Sequence, residues 1–298
     1  MSIALYNKRG DKQAAKACYQ KALAANPHDP RLLMEHDQLF RRLGASQSDR
    51  LAVFERHTDL VDRRDDLSVD FSALYNQTGQ PEKALNVLLS HQFHPWEGGE
   101  GQAAMQYALA HALLGQAALA KGEASKSIEH FNAAQHHPAN LGVGRAMHTV
   151  HGMISYYTGL ACEALGKPEE ATRNFEKVLV ADAEAAVWQP YTWLTYFTAL
   201  ALRKLNKDSE AQTRLQGLLD FAMQRLNAGD EGGFFTSAPA TFVFEEEPGR
   251  ETIIWSNYLI GLANKGLGNL PEARKAFEAV LALDAHNWET LRELDGLS

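Results

Sequence analysis

The residue types best suited to chemistry in this sequence lie in one short segment, residues 94–101, which reads HPWEGGEG. Glu97 and Glu100 could place two carboxylates at one cleft, beside Trp96 as a platform for a sugar and His94 as a proton carrier. Paired carboxylates perform the general acid–base work of glycoside hydrolysis. The same residues also permit a structural interpretation, in which Trp96 fills a gap between helices and the glutamates cap helix N-termini, where negative charge is favourable. The composition of the segment favours the structural interpretation.

The elements that would position these residues are indicated by a phrase that recurs along the chain. A small residue is followed by glycine seven positions on, by alanine five later and by an aromatic residue or leucine four after that. Gly159, Gly166, Ala171 and Phe175 form one copy. A repeat of about 34 residues is typical of a helical hairpin that cannot bury its apolar face alone and stacks on its neighbours. The sequence therefore predicts an all-α fold, a right-handed α-α superhelix or solenoid of about seven hairpins.

The turn inside each predicted hairpin is marked by a residue with easy access to a positive φ, which is glycine or asparagine. These turn residues are Gly10, Gly44, Gly79, Gly122, Gly166, Asn206 and Gly268. Five positions after the turn residue, the second helix must approach the first closely, and the side chain there is alanine or serine except for Asp49 in the second hairpin. Nine positions after it comes a larger apolar residue that is expected to fill the seam between repeats, and Val53 takes this place in the second hairpin.

The spacing of the turn residues predicts where extra chain is inserted. The first intervals are 34 and 35 residues, whereas the later ones are 43, 44, 40 and 62. Insertions into a solenoid emerge as loops, and long ordered loops tend to be functional. We expect a single solenoid domain, 1–298, with inserted loops at 91–101, 138–148 and 230–251. The predicted hairpins are 1–27, 30–60, 65–92, 103–137, 149–183, 190–227 and 253–287, followed by a capping helix at 288–296. Because little chain precedes Gly10, we also expect a longer protein or a further domain that covers this end.

A second candidate binding surface is formed by aromatic and charged residues on the first helices of the hairpins, which face the concave side of such repeats. These residues are Tyr156, Glu163, Trp193, Tyr196, Arg203, Trp255, Tyr258 and Lys265. Aromatic platforms beside charges suit the capture of a peptide or a carbohydrate. Alternatively, some of these rings simply pack between adjacent helices. The lysine and asparagine set that would clamp a C-terminal carboxylate is absent from these positions, which disfavours binding of chaperone tails.

Composition and charge disfavour several classes of function. A formal net charge of −8 over 298 residues, without a long basic run, disfavours nucleic acid as a partner. The two cysteines are too few for a disulfide framework, the N-terminus lacks the apolar core of a secretory signal, and the most apolar stretch, 103–120, is interrupted by polar side chains. We therefore predict a cytoplasmic protein that does not bind a membrane.

Twelve histidines invite a metal-site hypothesis. His148 and His151 lie three apart on a predicted helix, but no HExxH or CxxC motif accompanies them, and a transition-metal site needs three or four converging ligands. We predict neither a metal nor a cofactor.

The repeats resemble tetratricopeptide repeats. In addition, the segments DRLAVFERH, VDRRDDL, ALYNQTGQPEKAL, FHPWEGGEG, HPANLGVGR and FVFEEE are similar to the C-terminal repeat region of a family of large bacterial proteins. In that family an N-terminal β-rich domain of uncharacterised function precedes the repeats, and this chain lacks it. The β-rich domain is similar in general character to sugar-binding and sugar-processing β-sandwiches, so the resemblance implies a connection with carbohydrate.

Two functions follow from these observations. The first is a non-catalytic scaffold whose concave face and inserted loops bind a protein partner or the missing β-rich domain. The alternative is a carbohydrate-binding protein or a carbohydrate-active enzyme subunit that uses the 94–101 loop, with Glu97 and Glu100 as acid and base.

Overall fold

The structure, a computed structural model, describes residues 10–94, 99–142, 148–228 and 249–297. These residues form α-helices joined by turns, and no strand occurs among them, so the predicted all-α fold is confirmed. The helices are α1 (Lys12–Ala25), α2 (Pro30–Arg42), α3 (Gln47–Glu55), α4 (Thr58–Val61), α5 (Asp65–Gln77), α6 (Pro81–Ser90), α7 (Gln102–Ala120), α8 (Ala124–Ala134), α9 (His148–Ala164), α10 (Pro168–Ala186), α11 (Leu194–Lys204), α12 (Asp208–Ala228), α13 (Arg250–Leu267), α14 (Leu270–Leu283) and α15 (Trp288–Asp295), with a 3₁₀ turn at Ala139–Leu141.

The chain divides into two compact units. The N-unit contains the described residues of 10–94, 99–106 and 138–142, and the C-unit contains those of 107–137, 148–228 and 249–297. Much of the third predicted loop lies outside the described residues, as does the chain ahead of Gly10. Within the described ranges, no helix combines the length and the apolar character needed to cross a membrane.

The turn residues read from the sequence adopt the backbone conformation expected of them. All seven have a positive φ, from 59° at Asn206 to 84° at Gly268. Asparagine is among the few residues other than glycine that enter this region at low cost, which explains its use in one hairpin. At Gly44, Gly79, Gly122, Gly166, Asn206 and Gly268 the first helix of a hairpin ends and the chain reverses into the second, and at Gly10 the described part begins just ahead of α1.

A close contact between glycine and phenylalanine explains the first residue of the recurring phrase. In the C-unit, a Cβ added to Gly159 would overlap the ring of Phe175, and Gly261 faces Phe277 in the same way. The alanines five positions after the turn, Ala171 and Ala273, are almost completely buried. The phrase therefore encodes the approach of two helices that pack with one phenylalanine ring between them.

The hairpin formed by α2 and α3 departs from the expected register by one residue. The sequence pattern places Asp49 and Val53 at the helix contact, but Asp49 is exposed and Val53 only partly buried, whereas Arg50 and Phe54 are buried. The cause is a turn that is one residue longer, because α3 begins three residues after its turn glycine rather than two. Each side chain of α3 is therefore rotated by about one residue relative to the other hairpins.

Candidate functional site

The candidate site of the C-unit is a set of aromatic rings carried by the first helices of successive hairpins. We call this set the aromatic face. Its members are Tyr156 and Tyr157 of α9, Trp193 at the N-cap of α11, Tyr196 and Phe197 within α11, and Trp255 and Tyr258 of α13. Phe197 lies at its centre, with ring centroids 5.7 Å from Tyr156, 5.9 Å from Trp193 and 5.4 Å from Tyr196. Such separations are typical of interacting aromatic pairs.

The two tryptophans are linked to the rest of the face through shared packing. Trp193 and Tyr258 pack against the core cluster that contains Tyr196. Trp193 and Trp255 both pack against a second cluster formed by α12 and α13, and the rings of Trp255 and Tyr258 are 5.8 Å apart. The structure therefore brings four of the predicted aromatic residues, from two hairpins, into one region.

Burial divides these aromatic residues into two groups. Tyr156 and Tyr196 are each only 9% exposed, so their rings serve mainly as core between the helices. Burial raises the pKa of Tyr156 to about 12 and that of Tyr196 further, which keeps both phenols neutral. Trp193, Trp255 and Tyr258 are only partly buried and can contribute ring surface to a ligand.

The three predicted charged residues all have partners within the chain. Glu163 of α9 binds Lys204 of α11, with 2.6 Å between carboxylate oxygen and Nζ. Arg203 donates from Nη2 to the carbonyl oxygen of Gly266 over 2.7 Å, near the C-terminus of α13. Lys265 forms a 2.8 Å ion pair with Glu293 of α15. The first two contacts link the first helices of successive hairpins, whereas the third attaches the last helix to the aromatic face.

The short helix α15 lies on this face. Its N-cap is Asn287, whose side chain accepts a hydrogen bond from the backbone N–H of Thr290 over 3.1 Å. Leu294 and Leu297 pack against the cluster that contains Tyr196. Arg292 of α15 also donates from Nη2 to Oε1 of Gln116 in α7 over 2.8 Å.

Sequence reasoning predicted a helix at 288–296 but assigned it only the role of a cap. Its contact with the candidate binding residues was missed. The available signal was the spacing of Thr290, Glu293, Leu294 and Leu297, which is the i, i+3, i+4, i+7 pattern of a helix that buries one stripe.

In the N-unit, the described part of the 94–101 segment is held by one carboxylate. Asp65, the first residue of α5, lies with Oδ1 2.6 Å from Nε2 of His91 and accepts the backbone N–H of His94 at Oδ2 over 2.8 Å. The imidazole of His94 is exposed, with Nδ1 3.5 Å from the same oxygen. Burial by itself would raise the pKa of Asp65, but the hydrogen bonds from His91 and His94 outweigh it and lower the pKa. The carboxylate thus remains ionised and fixes the start of the loop.

The other predicted residues of this segment are not brought together by the described structure. Trp96 and Glu97 lie outside the described residues, and Glu100 is exposed. The proposed pairing of the two glutamates therefore stays a prediction.

The first two inserted loops contact each other, which the sequence did not predict. Asn140, in the 3₁₀ turn of the second loop, donates its side-chain amide to the carbonyl oxygens of Leu88 and His91 over 2.9 and 2.8 Å. Its own carbonyl accepts the N–H of Phe93 over 2.8 Å. These bonds satisfy carbonyl groups at and just beyond the C-terminus of α6, which a helix end otherwise leaves without partners.

A buried ionic cluster in the N-unit was also missed. Arg50 binds Asp37 through two bonds, Nε to Oδ1 at 2.8 Å and Nη2 to Oδ2 at 2.7 Å, and both side chains are buried. Burial, together with the nearby Asp37 carboxylate, raises the pKa of Asp70 to about 7. The charges of Arg50 and Asp37 offset each other's cost of desolvation. The carboxyl group of Asp70 has no such compensation from this pair, so burial favours its protonated form. The signal in the sequence was the irregular second hairpin, whose register placed Arg50 in the core.

The paired helices, their left-handed turn residues and the phenylalanine between them define the class of helical-hairpin repeat proteins. Within that class, the family model of the tetratricopeptide repeat matches residues 4–29 and 256–287. Two segments of the chain thus match the tetratricopeptide repeat, and the resemblance drawn from the sequence is confirmed at this level.

The chain is also similar to three solved structures. The crystal structure of MamA is 20% identical, covers 61% of this chain and 94% of its own, and gives a TM-score of 0.40. The C-terminal part of a TPR repeat-containing protein from Cytophaga hutchinsonii is 14% identical, covers 98% of both chains and gives 0.40. The human IFIT1 dimer with PPP-AAAA is 14% identical, covers 92% of this chain and 69% of its own, and gives 0.38.

Proposed function

We propose that this chain is a non-catalytic scaffold that binds a protein partner through the aromatic face of the C-unit and through the inserted loops. Tetratricopeptide repeats generally mediate protein–protein interaction, and two segments of the chain match that family. The observation that carries the proposal is the pair of partly exposed indoles, Trp193 and Trp255, held by two successive hairpins and packed on one cluster.

The physical support comes from what such rings contribute to an interface. A tryptophan that is already packed at its base loses little conformational entropy on binding, and it offers a large apolar surface with one hydrogen-bond donor. Trp193 is fixed by an edge-to-face contact with Phe197, at 5.9 Å between ring centroids. Trp255 is fixed by Tyr258. Both rings are therefore preorganised, which favours affinity without new ordering of the scaffold.

The test compares variants of the full chain in binding to one purified partner, identified first by capture on the parent protein. Trp193→Ala combined with Trp255→Ala should weaken binding at least 30-fold, since loss of a hot-spot side chain costs about 2 kcal/mol or more. Trp188→Ala is the matched control, because Trp188 is 91% exposed just beyond the C-terminus of α10 and is not part of the aromatic face.

Two readouts decide the outcome. Circular dichroism and thermal melting must show that both variants keep the parent's helical content, and calorimetric titration then gives the dissociation constants. An unchanged constant in the folded double variant, or a loss confined to Trp188→Ala, would contradict the proposal.

A further inference from the structure

We propose that α15 is an internal ligand of the aromatic face, and that the partner displaces it with an amphipathic helix of the same pattern. That pattern is an acidic residue directly followed by leucine, with a second leucine three positions later, as in Glu293, Leu294 and Leu297. The inference rests on the proposed function and deepens it by naming the chemical character of the partner.

The apolar contacts of α15 show what the face accepts. Leu294 of α15 and Leu297, two residues beyond its end, pack against the same cluster as Trp193 and Tyr258. Thr290, one turn earlier on the same stripe, is completely buried. A helix bound by anchors at i, i+3, i+4 and i+7 is the usual mode in which a groove takes a partner helix.

The polar contacts fix the position of α15 across several hairpins. Glu293 pairs with Lys265 of α13, and both side chains are about 20% exposed, so the ion pair is partly desolvated. Burial raises the pKa of Tyr157, Tyr196 and Tyr258, and in each case the Glu293 carboxylate adds to the rise, so that rings from three hairpins lie within its electrostatic reach. An acidic residue at this point in a partner helix would meet the same lysine.

The attachment of α15 is weak enough to be reversible. The helix has eight residues, and isolated helices of that length are unstable in water, so its structure depends on the surface beneath it. Only Thr290 is fully buried among its side chains. The connection from α14 is the short segment 284–287, so α15 can leave while the hairpin of α13 and α14 stays intact. Displacement then replaces one set of contacts with an equivalent set.

The experiment uses a fluorescein-labelled synthetic peptide with the sequence of residues 286–297, added to the full-length chain. In the parent, the tethered α15 competes at an effective concentration of the order of millimolar, so the peptide should bind poorly. In the full chain with Leu294→Ala and Leu297→Ala, the peptide should bind at least 10-fold more tightly, as measured by fluorescence anisotropy. Leu291→Ala is the matched control, because Leu291 is 37% exposed on α15 and should leave peptide binding at the parent level.

A second pair of variants tests the charge and does not depend on the leucines. Glu293→Gln weakens only the internal helix and should raise the affinity for the peptide. Lys265→Ala removes the partner of both the internal and the added glutamate, so it should raise the affinity less than Glu293→Gln does. A peptide that carries both leucine-to-alanine changes should not bind any of these chains.

The inference is overturned if the folded double-alanine chain gains no affinity for the peptide, or if the alanine peptide binds as well as the original. Such a result leaves the proposed function standing when Trp193→Ala with Trp255→Ala still weakens the partner. Conversely, the double-alanine chain could gain affinity for the peptide while Trp193→Ala with Trp255→Ala leaves partner binding unchanged. That result would contradict the proposed function and support α15 as an internal ligand of the aromatic face.

Discussion

Substitution of Gly159 by alanine tests the packing rule on which the repeats are built. A Cβ at this position would lie 2.8 Å from Cδ1 and 2.9 Å from Cζ of Phe175, whereas carbon atoms in contact prefer 3.5–4.0 Å. The ring would have to withdraw by about 1 Å. Phe175 is 2% exposed and its ring lies against that of Tyr156, so little space is open to it.

The size of the effect follows from two opposing contributions. Overpacking of a filled core costs about 1–3 kcal/mol. Replacement of glycine by alanine inside a helix returns up to about 1 kcal/mol through helix propensity. We therefore expect Gly159→Ala to lower the free energy of unfolding by about 1–2 kcal/mol, which corresponds to a fall in Tm of roughly 2–8 °C for a unit of this size.

A double-mutant cycle with Phe175→Leu separates this steric effect from other causes. The smaller leucine side chain makes room for the new methyl group, so the cost of the double variant should be at least about 1 kcal/mol less than the summed costs of the single variants. Urea denaturation followed by circular dichroism gives the three values. Additive costs, or a Gly159→Ala chain more stable than the parent, would refute the argument that the ring of Phe175 requires glycine opposite it.

Three further predictions concern buried polar groups. Burial lowers the pKa of His36 to about 4. The free energy of unfolding should therefore be highest above pH 6.5, the pKa of histidine in the unfolded chain, and decrease by up to about 3 kcal/mol as the pH falls to 4. His36→Phe should flatten this dependence, as measured by urea titrations at pH 7 and 4.5. The pKa of Asp70 is raised from 3.8 to about 7. The contribution of this carboxyl group to stability is therefore fully present below pH 3.8 and is lost as the pH rises through 7. Asp70→Asn should therefore stabilise the chain by roughly 3–4 kcal/mol at pH 8 and change little at about pH 3.5, and an equal effect at both pH values would contradict the assignment. Asn140→Ala should cost about 1–3 kcal/mol in thermal melts through loss of its bonds to Leu88 and His91, whereas Asn132→Ala, at an exposed site, should cost little.

The turns and helix contacts of the repeats could be predicted from the sequence because each is encoded locally. A left-handed turn residue, a small side chain five positions on and a large apolar one nine positions on act within a single hairpin. Asn206 illustrates the point, since it was recognised as a turn residue from spacing alone and has a φ of 59°. Local rules of this kind do not depend on which other hairpins are nearby.

The second hairpin shows where this local reading failed. One additional residue in the turn after Gly44 moved Arg50 into the position expected for Asp49. The prediction was based on the number of residues after the glycine, whereas the residue at which α3 begins determines which side chains face α2. A buried arginine is tolerated there because the carboxylate of Asp37 in α2 accepts two hydrogen bonds from its guanidinium group. That compensation depends on a contact between helices, which spacing along the chain does not reveal.

The candidate site was harder to predict than the fold because its contacts join distant parts of the sequence. Arg292 and Gln116 are 176 residues apart, and Lys265 and Glu293 are 28 apart, so no repeat rule pairs them. The predicted aromatic residues lie in or next to the first helices of their hairpins, but their exposure could not be predicted, since α15 packs on the same cluster as Trp193 and Tyr258. Exposure in the parent chain consequently underestimates the surface that the aromatic face can offer. If α15 is displaced, the area covered by Leu294 and Leu297 becomes available to a partner, and the face that binds is larger than the face that is visible.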